Sequence, residues 1–226
     1  MKKNALLKYI ILLFAVPAAV ALGAFVFDEK MHVFVSLCVA VIACIPFFMS
    51  LENGKTSTKK LVMLSAMTAL SVAGRYVFAF LPHFKPVTAI VVITGLYLGA
   101  ESGFLCGALS ALVSGFIFGQ GPWTPFQMFA WGLIGLLAAV LSKPLKKSRA
   151  ALCLFGALSG VLYSLLLDVA STLWQDGFFN LPRYLAMLVS SLPVTATYAV
   201  SNAIFLFLLA KPMGEKLERI KTKYGL

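Results

Sequence analysis

The sequence has little charge, little histidine and few acidic residues. Only 12% of its 226 residues are charged, whereas 61% are hydrophobic and the mean hydropathy is +0.94. In a soluble domain about a quarter of the residues are charged. Too few polar side chains remain to cover a surface in water, which excludes a soluble globular enzyme. The composition predicts an all-α protein, a bundle of helices that crosses the membrane several times.

Residues that build common enzyme sites are also scarce. The chain has two histidines, His32 and His83, and its four cysteines lie inside apolar stretches without the spacing of metal ligands. Residues 53–56 (Asn-Gly-Lys-Thr) resemble the end of a nucleotide-binding phosphate loop, but Met49 stands where that motif needs glycine. We therefore predict no metal site, no cofactor and no ATPase site, and a chain that is not an enzyme.

Long apolar runs predict eight membrane helices. A helix needs about 20 apolar residues to cross a hydrocarbon layer about 30 Å thick. Because the fourth run is short, we expect that helix to be kinked, tilted or not fully spanning. The runs cover residues 9–27, 32–51, 61–82, 86–99, 103–119, 126–142, 150–172 and 185–210.

The basic residues predict the orientation. An even number of spans places both termini on one side, and cytoplasmic connections are enriched in Lys and Arg. Only Lys30, Lys85 and Arg183 lie in the opposite connections. We therefore predict cytoplasmic termini, and we interpret the net charge of +11 as contact with the surface of the lipid bilayer and not with nucleic acid. The basic residues predicted inside are Lys2, Lys3, Lys8, Lys55, Lys59, Lys60, Lys143, Lys146, Lys147, Arg149, Lys211, Lys216, Arg219, Lys221 and Lys223.

The connections predicted outside are aromatic. Residues 81–86, 119–126 and 174–184 are rich in Trp, Phe, Pro and Gly. An aromatic belt at the membrane interface explains part of this pattern. A belt marks both faces, however, and the inner connections contain almost no aromatic residues. The alternative is a site that takes a partly apolar ligand from outside.

Two charged residues fall inside predicted spans. Arg75 and Asp168 lie at similar depths, a few residues before the outer ends of their helices. A lone buried charge is less favourable than a pair. We predict a structural ion pair between them, beneath a ligand cavity, with a proton relay as the alternative. An intramembrane enzyme that uses these two groups is disfavoured, because they make a poor acid–base set.

The stretch from Pro86 to Gly135 resembles a known family. Its segments 86–95, 99–103 and 107–114 lead into residues 118–135, which contain Gly-Gln-Gly-Pro-Trp-Thr-Pro-Phe-Gln-Met. This pattern is similar to the substrate-binding S component of an energy-coupling factor (ECF) vitamin transporter. Within that family it most resembles the branch assigned to cobalamin. The resemblance covers roughly residues 60–212.

The resemblance implies a transport role. It implies a six-helix core in residues 59–226, here preceded by two additional helices in residues 1–58. Such a subunit sits in the cell membrane of a prokaryote and works with a transmembrane coupling subunit and two cytoplasmic ATPases. In the family's model it topples in the membrane and carries its vitamin inward. Cobalamin is the expected vitamin. Riboflavin, biotin or folate, or a non-catalytic membrane scaffold, are the alternatives.

The resemblance also implies two sets of functional residues. Ala69 and Ala73, with Ser65 on the same face, match the Ala-x-x-x-Ala face that docks on the coupling subunit. The vitamin is expected among the outer loops, where aromatic rings stack on a flat ring system and amides bind its polar edge. The expected vitamin-binding residues are His83, Phe84, Thr88, Trp123, Phe126, Gln127, Met128, Trp174, Phe178, Phe179 and Tyr184.

Overall fold

The computed structural model describes residues 7–26, 32–52 and 57–225, which are almost entirely helical. The predicted all-α bundle is therefore confirmed, and each predicted span coincides with a helix. Lys2, Lys3, Lys30, Lys55 and the segment 53–56 lie outside the described residues. The helices are α1 (Val16–Val26, preceded by a π-helical turn at Ile11–Ala15), α2 (His32–Glu52), α3 (Thr58–Val77), α4 (Val87–Leu98), α5 (Ala100–Phe118), α6 (Thr124–Val140), α7 (Ser142–Lys147), α8 (Arg149–Asp176) and α9 (Leu181–Tyr224).

Length and composition show which described helices match a membrane span. Three are long and apolar enough to cross a bilayer, namely Ala100–Phe118, Arg149–Asp176 and Leu181–Tyr224. Four shorter apolar helices accompany them, at Leu7–Gly23, Phe34–Met49, Val87–Leu98 and Thr124–Val140. The mixture of full-length and short apolar helices is typical of a bundle whose inner helices are covered by other helices and not by lipid.

The short helix α4 lies at the centre of this bundle. Its 12 residues extend about 18 Å at 1.5 Å per residue, less than the hydrocarbon thickness. Residues 87–96 are all buried, and α3, α5, α6 and α9 pack around them. The expectation of a helix that does not fully span agrees with this length.

Glycines allow α4, α5 and α6 to touch through their backbones. A Cβ atom added at Gly95 or at Gly103 would collide with the carbonyl oxygen of Gly135. A Cβ at Gly107 would collide with the backbone of Trp131. Without a hydrophobic effect to drive association in lipid, such close approach is a principal source of packing energy. The glycine spacing in the sequence therefore serves the packing of the bundle core.

Helix α3 ends earlier than its apolar run. It stops at Val77, where the N–H of Phe78 donates to the carbonyl of Gly74 at 3.1 Å. Residues 78–86 then turn back towards α4. Pro82 and Pro86 disfavour a helix here, and His83 between them adopts a left-handed backbone with φ of 59°. This turn, called the 78–86 turn below, brings polar residues against the core.

The long helices α8 and α9 form an antiparallel hairpin. Asn202 on α9 donates from Nδ2 to the carbonyl of Gly156 at 3.2 Å, and the hydroxyls of Ser164 and Thr195 lie 2.6 Å apart. Asn202 therefore joins the two helices of the hairpin through its amide.

The two additional N-terminal helices pack on the outside of the core. Helix α2 contacts α5 and α6. Lys8, just before the π-helical turn, pairs through Nζ with Oε1 of Glu101 at 3.0 Å, and both side chains are largely shielded. Because Glu101 begins α5, this ion pair ties the first helix to the core.

Candidate ligand-binding site

A cavity of about 220 Å³ lies between α3, α4, α6, α8, α9 and the 78–86 turn. Its walls combine three aromatic rings, three uncharged polar side chains and three basic side chains. A concave site with convergent polar groups and a flat apolar wall is the usual form of a small-molecule site.

The aromatic wall consists of Trp131, Tyr163 and Tyr198, which come from α6, α8 and α9. The rings of Trp131 and Tyr163 stack at 5.0 Å between centroids with an interplanar angle of 18°. Tyr198 meets Tyr163 edge-on at 5.1 Å. Two of these three rings are almost fully buried. This wall offers a planar ligand both a stacking face and an edge contact.

The uncharged polar groups are the side chains of Thr88, Gln127 and Asn202. Thr88 lies in the first turn of α4, and Gln127 lies in the first turn of α6. An amide carries both donors and acceptors, so Gln127 and Asn202 can each read the polar edge of a heterocycle. His83 adds a ring nitrogen, and its Nδ1 lies 3.1 Å from the hydroxyl of Tyr198.

Two permanent cations also face the cavity. Arg75 donates from Nη1 to Oγ of Ser114, and its guanidinium lies 5.1 Å from the ring centre of Phe118 and 5.2 Å from that of Trp131. Lys85 places its ammonium 5.3 Å from the same Phe118 ring. Its backbone N–H donates to Oγ of Ser201 at 3.0 Å, which fixes the 78–86 turn against α9.

The electrostatics of the turn follow from this crowding of positive charge. Burial lowers the pKa of the Lys85 ammonium, and the neighbouring charge of Arg75 lowers it further. Burial lowers the pKa of the His83 imidazole as well, and the charge of Lys85 adds to that effect. His83 is therefore neutral at pH 7.

The structure does not join Arg75 to Asp168. Arg75 faces α5 and α6 through Ser114, Phe118 and Trp131. Asp168 faces the partner helix of its own hairpin and accepts a hydrogen bond from Ser191 Oγ at 2.8 Å. None of the ion pairs among the described residues contains either side chain. The predicted ion pair is thus replaced by two separate environments, because similar depth does not imply the same side of the bundle.

Three of the residues expected to bind a vitamin line the cavity, namely His83, Thr88 and Gln127. The others lie elsewhere. Phe84 packs on Phe205 at 5.2 Å between ring centroids. Met128 is completely buried in the core, and Phe126 is partly buried against it.

The remaining aromatic candidates lie around the connection between α8 and α9. Trp123 contacts Trp174 at 6.0 Å between ring centroids. Phe179 contacts Tyr184 at 5.5 Å, and Phe178 is largely exposed. The structure places this aromatic cluster outside the cavity, where it has the composition of an interface belt.

The sequence contained a partial signal for the cavity residues that were not predicted. Trp131 follows Gln127 by four residues, and Tyr198 precedes Asn202 by four residues. Residues four apart share a helix face. A polar residue with an aromatic residue one turn away therefore indicated the cavity-facing sides of α6 and α9. Lys85 and Tyr163 had no comparable signal.

A second and larger concavity lies on the other side of α3. This apolar groove has a volume of about 720 Å³. Its floor contains Ser65, Ala69 and Ala73, and the Ser65 hydroxyl donates to the carbonyl of Leu61 at 3.0 Å. One wall is α5, and the other is formed by Cys44, Phe47 and Phe48 of α2. The face that carries the Ala-x-x-x-Ala pattern is thus open, and an additional N-terminal helix borders it.

A comparison with known proteins identifies the region that contains the cavity and most of the groove. A family model described as "ECF-type riboflavin transporter, S component" matches residues 55–219. The match covers α3 to α8 and most of α9, and it leaves out α1 and α2. A search of curated proteins and a search of solved structures each returned no match. Within the described part of the chain, no group of three or more His, Cys, Asp or Glu side chains is arranged to hold a metal ion.

Proposed function

Because the chain belongs to the S components of ECF-type transporters, we propose that it captures a flat heteroaromatic vitamin of the riboflavin type in the 220 Å³ cavity. S components are substrate-binding transport subunits and not enzymes, and they act with a coupling subunit and ATPase subunits. Import then requires two surfaces on this chain, one for the vitamin and one for the coupling subunit.

The observation that carries the substrate proposal is the aromatic wall with amides beside it. Stacked Trp131 and Tyr163 provide a flat face, and Gln127 and Asn202 lie beside that face with donors and acceptors. A fused-ring vitamin such as riboflavin has a large planar surface and a polar edge rich in acceptors. The arrangement matches both parts of such a molecule.

The size of the cavity bears on the choice between vitamins. Small-molecule sites have volumes of about 300–1,000 Å³, and this cavity, at about 220 Å³, is smaller than that range. Cobalamin combines a corrin macrocycle with a nucleotide loop and is several times larger than a single fused-ring system. The cavity volume and the family description both favour a riboflavin-sized ligand over the cobalamin that the sequence suggested.

For the coupling subunit we propose the apolar groove on α3. The small side chains of Ser65, Ala69 and Ala73 are exposed on one face of the helix. Small residues allow another helix to approach closely in lipid. In this arrangement Phe47 and Phe48 of α2 flank the docked helix, so the additional helices border the contact without blocking it.

Titration of the purified protein tests the substrate proposal. Riboflavin, cobalamin, biotin and folate are each added to the protein in detergent, and binding is followed by calorimetry and by thermal shift. We expect saturable one-to-one binding of riboflavin and a rise in Tm. Binding of cobalamin without riboflavin would overturn the riboflavin proposal and restore the cobalamin branch. If none of the four vitamins binds, the result would favour a membrane scaffold.

A further inference from the structure

The cavity contains two cationic side chains that no carboxylate of residues 7–26, 32–52 or 57–225 pairs with. Arg75 and Lys85 both line it. No Asp or Glu is among its lining residues, and the ion pairs among described residues are all formed by other side chains. The carboxylate of Asp168 is engaged by Ser191.

The protein groups around the cations are dipoles and rings. Arg75 has the Ser114 hydroxyl and the faces of Phe118 and Trp131, and Lys85 has the same Phe118 ring. Such contacts are favourable, but they leave the net charge in place. Two like charges that share a half-buried site destabilise each other, and an opposite charge between them would relieve this.

The two cations also lie in the same cavity as the aromatic wall. Arg75 contacts Trp131, which forms part of the stacking wall. Lys85 enters from the 78–86 turn, which is fixed to α9 through Ser201. A planar ligand on the wall therefore shares the cavity with Arg75 from α3 and with Lys85 from the 78–86 turn.

We propose that the transported ligand carries an oxyanion, a carboxylate or a phosphate, which binds between the Arg75 guanidinium and the Lys85 ammonium. The inference rests on the proposed function, because it adds a charged group to the ligand of that same cavity. A planar guanidinium can bind an oxyanion through two parallel hydrogen bonds, and the ammonium adds a third charge-assisted donor.

A matched pair of ligands tests the inference. Riboflavin and flavin mononucleotide share one ring system and differ by a phosphate. We expect the phosphorylated flavin to bind at least about tenfold tighter than riboflavin, because its phosphate accepts charge-assisted hydrogen bonds that riboflavin cannot form. The advantage should shrink with added salt.

Three variants assign the effect to the two cations. Lys85→Gln and Arg75→Gln should each bring the two flavin affinities to within about threefold of each other, because a charge-assisted donor is lost. Arg75→Lys keeps the charge and should retain part of the preference, which guards against misfolding of the glutamine variant. Lys143→Gln, an exposed lysine outside the cavity, is the control and should leave the ratio unchanged.

The outcomes separate this inference from the function on which it rests. Equal affinity for the two flavins, or tighter binding of riboflavin, would overturn the oxyanion and leave vitamin capture standing. A third outcome is that neither flavin binds, but biotin or folate binds and Lys85→Gln weakens that binding. This result would support the oxyanion and overturn the riboflavin-type ring. Silence with all four ligands would overturn both.

Discussion

The cavity and the apolar groove differ in size and in chemistry, and of these two the cavity is the one lined by charged side chains. The groove on α3 has about 720 Å³ and is lined almost entirely by apolar side chains. The cavity has about 220 Å³ and contains Arg75, Lys85 and the side chains of Gln127 and Asn202. Lipid tails or an apolar helix can fill the groove without burying an unsatisfied polar group. The polar groups of the cavity need a partner that forms hydrogen bonds with them.

Helix α3 contributes to both concavities because of its periodicity. Ala69 and Ala73 are four residues apart and share the face that lines the groove. Arg75 follows Ala73 by two residues, which turns it about 200° around the helix axis and towards the cavity. One helix therefore presents small side chains to the groove and a charged side chain to the cavity. This difference predicts that the proposed docking and the proposed ligand binding can be damaged separately.

The largest effect should come from a change that damages both concavities at once. Gly135→Ala adds a Cβ against the backbone of Gly103, and backbone cannot move aside as a flexible side chain can. We expect destabilisation of about 3 kcal/mol, at the upper end of overpacking effects, and loss of ligand binding together with loss of docking. Thermal unfolding in detergent measures it. An unchanged Tm would show that α5 and α6 are not in backbone contact.

The next effect should be confined to the groove. Replacing both Ala69 and Ala73 by leucine fills the docking face and should abolish co-purification with the coupling subunit and vitamin uptake, while binding by the isolated subunit stays within about twofold. Val62→Leu, an exposed position on the same helix outside the groove, is the control. If ligand binding falls along with docking, these alanines serve the packing of the core.

A smaller effect should be confined to the cavity. Trp131→Ala removes the stacking face and should weaken flavin binding by about tenfold, since an aromatic pair contributes about 0.5–1.5 kcal/mol beyond its buried area. Co-purification with the coupling subunit should persist. Trp131→Phe keeps a ring and should restore most of the affinity in calorimetry. If Trp131→Ala binds flavin with unchanged affinity, the aromatic wall is not part of the ligand site.

The smallest effect should be a pH dependence at the 78–86 turn. The pKa of His83 is lowered in the folded protein by burial and by Lys85, so the unfolded chain takes up a proton first. The free energy of unfolding should therefore fall as the pH drops from about 6.5 through the lowered folded value. His83→Asn suits the left-handed backbone and should lose this dependence in a pH series of Tm. If Tm changes with pH in the same way in the unaltered protein and in His83→Asn, His83 is not the source of the pH dependence.

The helices were predictable, and the partners of their side chains were not. Each predicted span coincides with a helix, because the length of an apolar run is a local property. Arg75 and Asp168 illustrate the limit. Their depths followed from counting residues, but the rotation of α3 and α8 decided that one faces Ser114 and the other Ser191.

Aromatic composition was an incomplete guide to the site for a similar reason. The loops with the most aromatic residues drew attention to Trp123, Trp174 and Phe178, which the structure places outside the cavity. The rings that form the aromatic wall of the cavity lie within the predicted spans. There the sequence does not distinguish a ligand-binding aromatic residue from one that packs in the core. The helical spacing of Gln127 with Trp131 and of Tyr198 with Asn202 carried a partial signal for that wall.

By itself the sequence determined a membrane bundle of helices, the approximate bounds of those helices and the Ala-x-x-x-Ala spacing on one helix face, because hydropathy and periodicity act over short stretches of chain. The tertiary structure alone decided that Lys85, Trp131, Tyr163 and Tyr198 meet Arg75 around one cavity. Those residues come from five separate segments, and their meeting depends on how far each helix rotates and on glycine contacts between α4, α5 and α6. Such contacts between distant segments follow from packing geometry and not from local pattern.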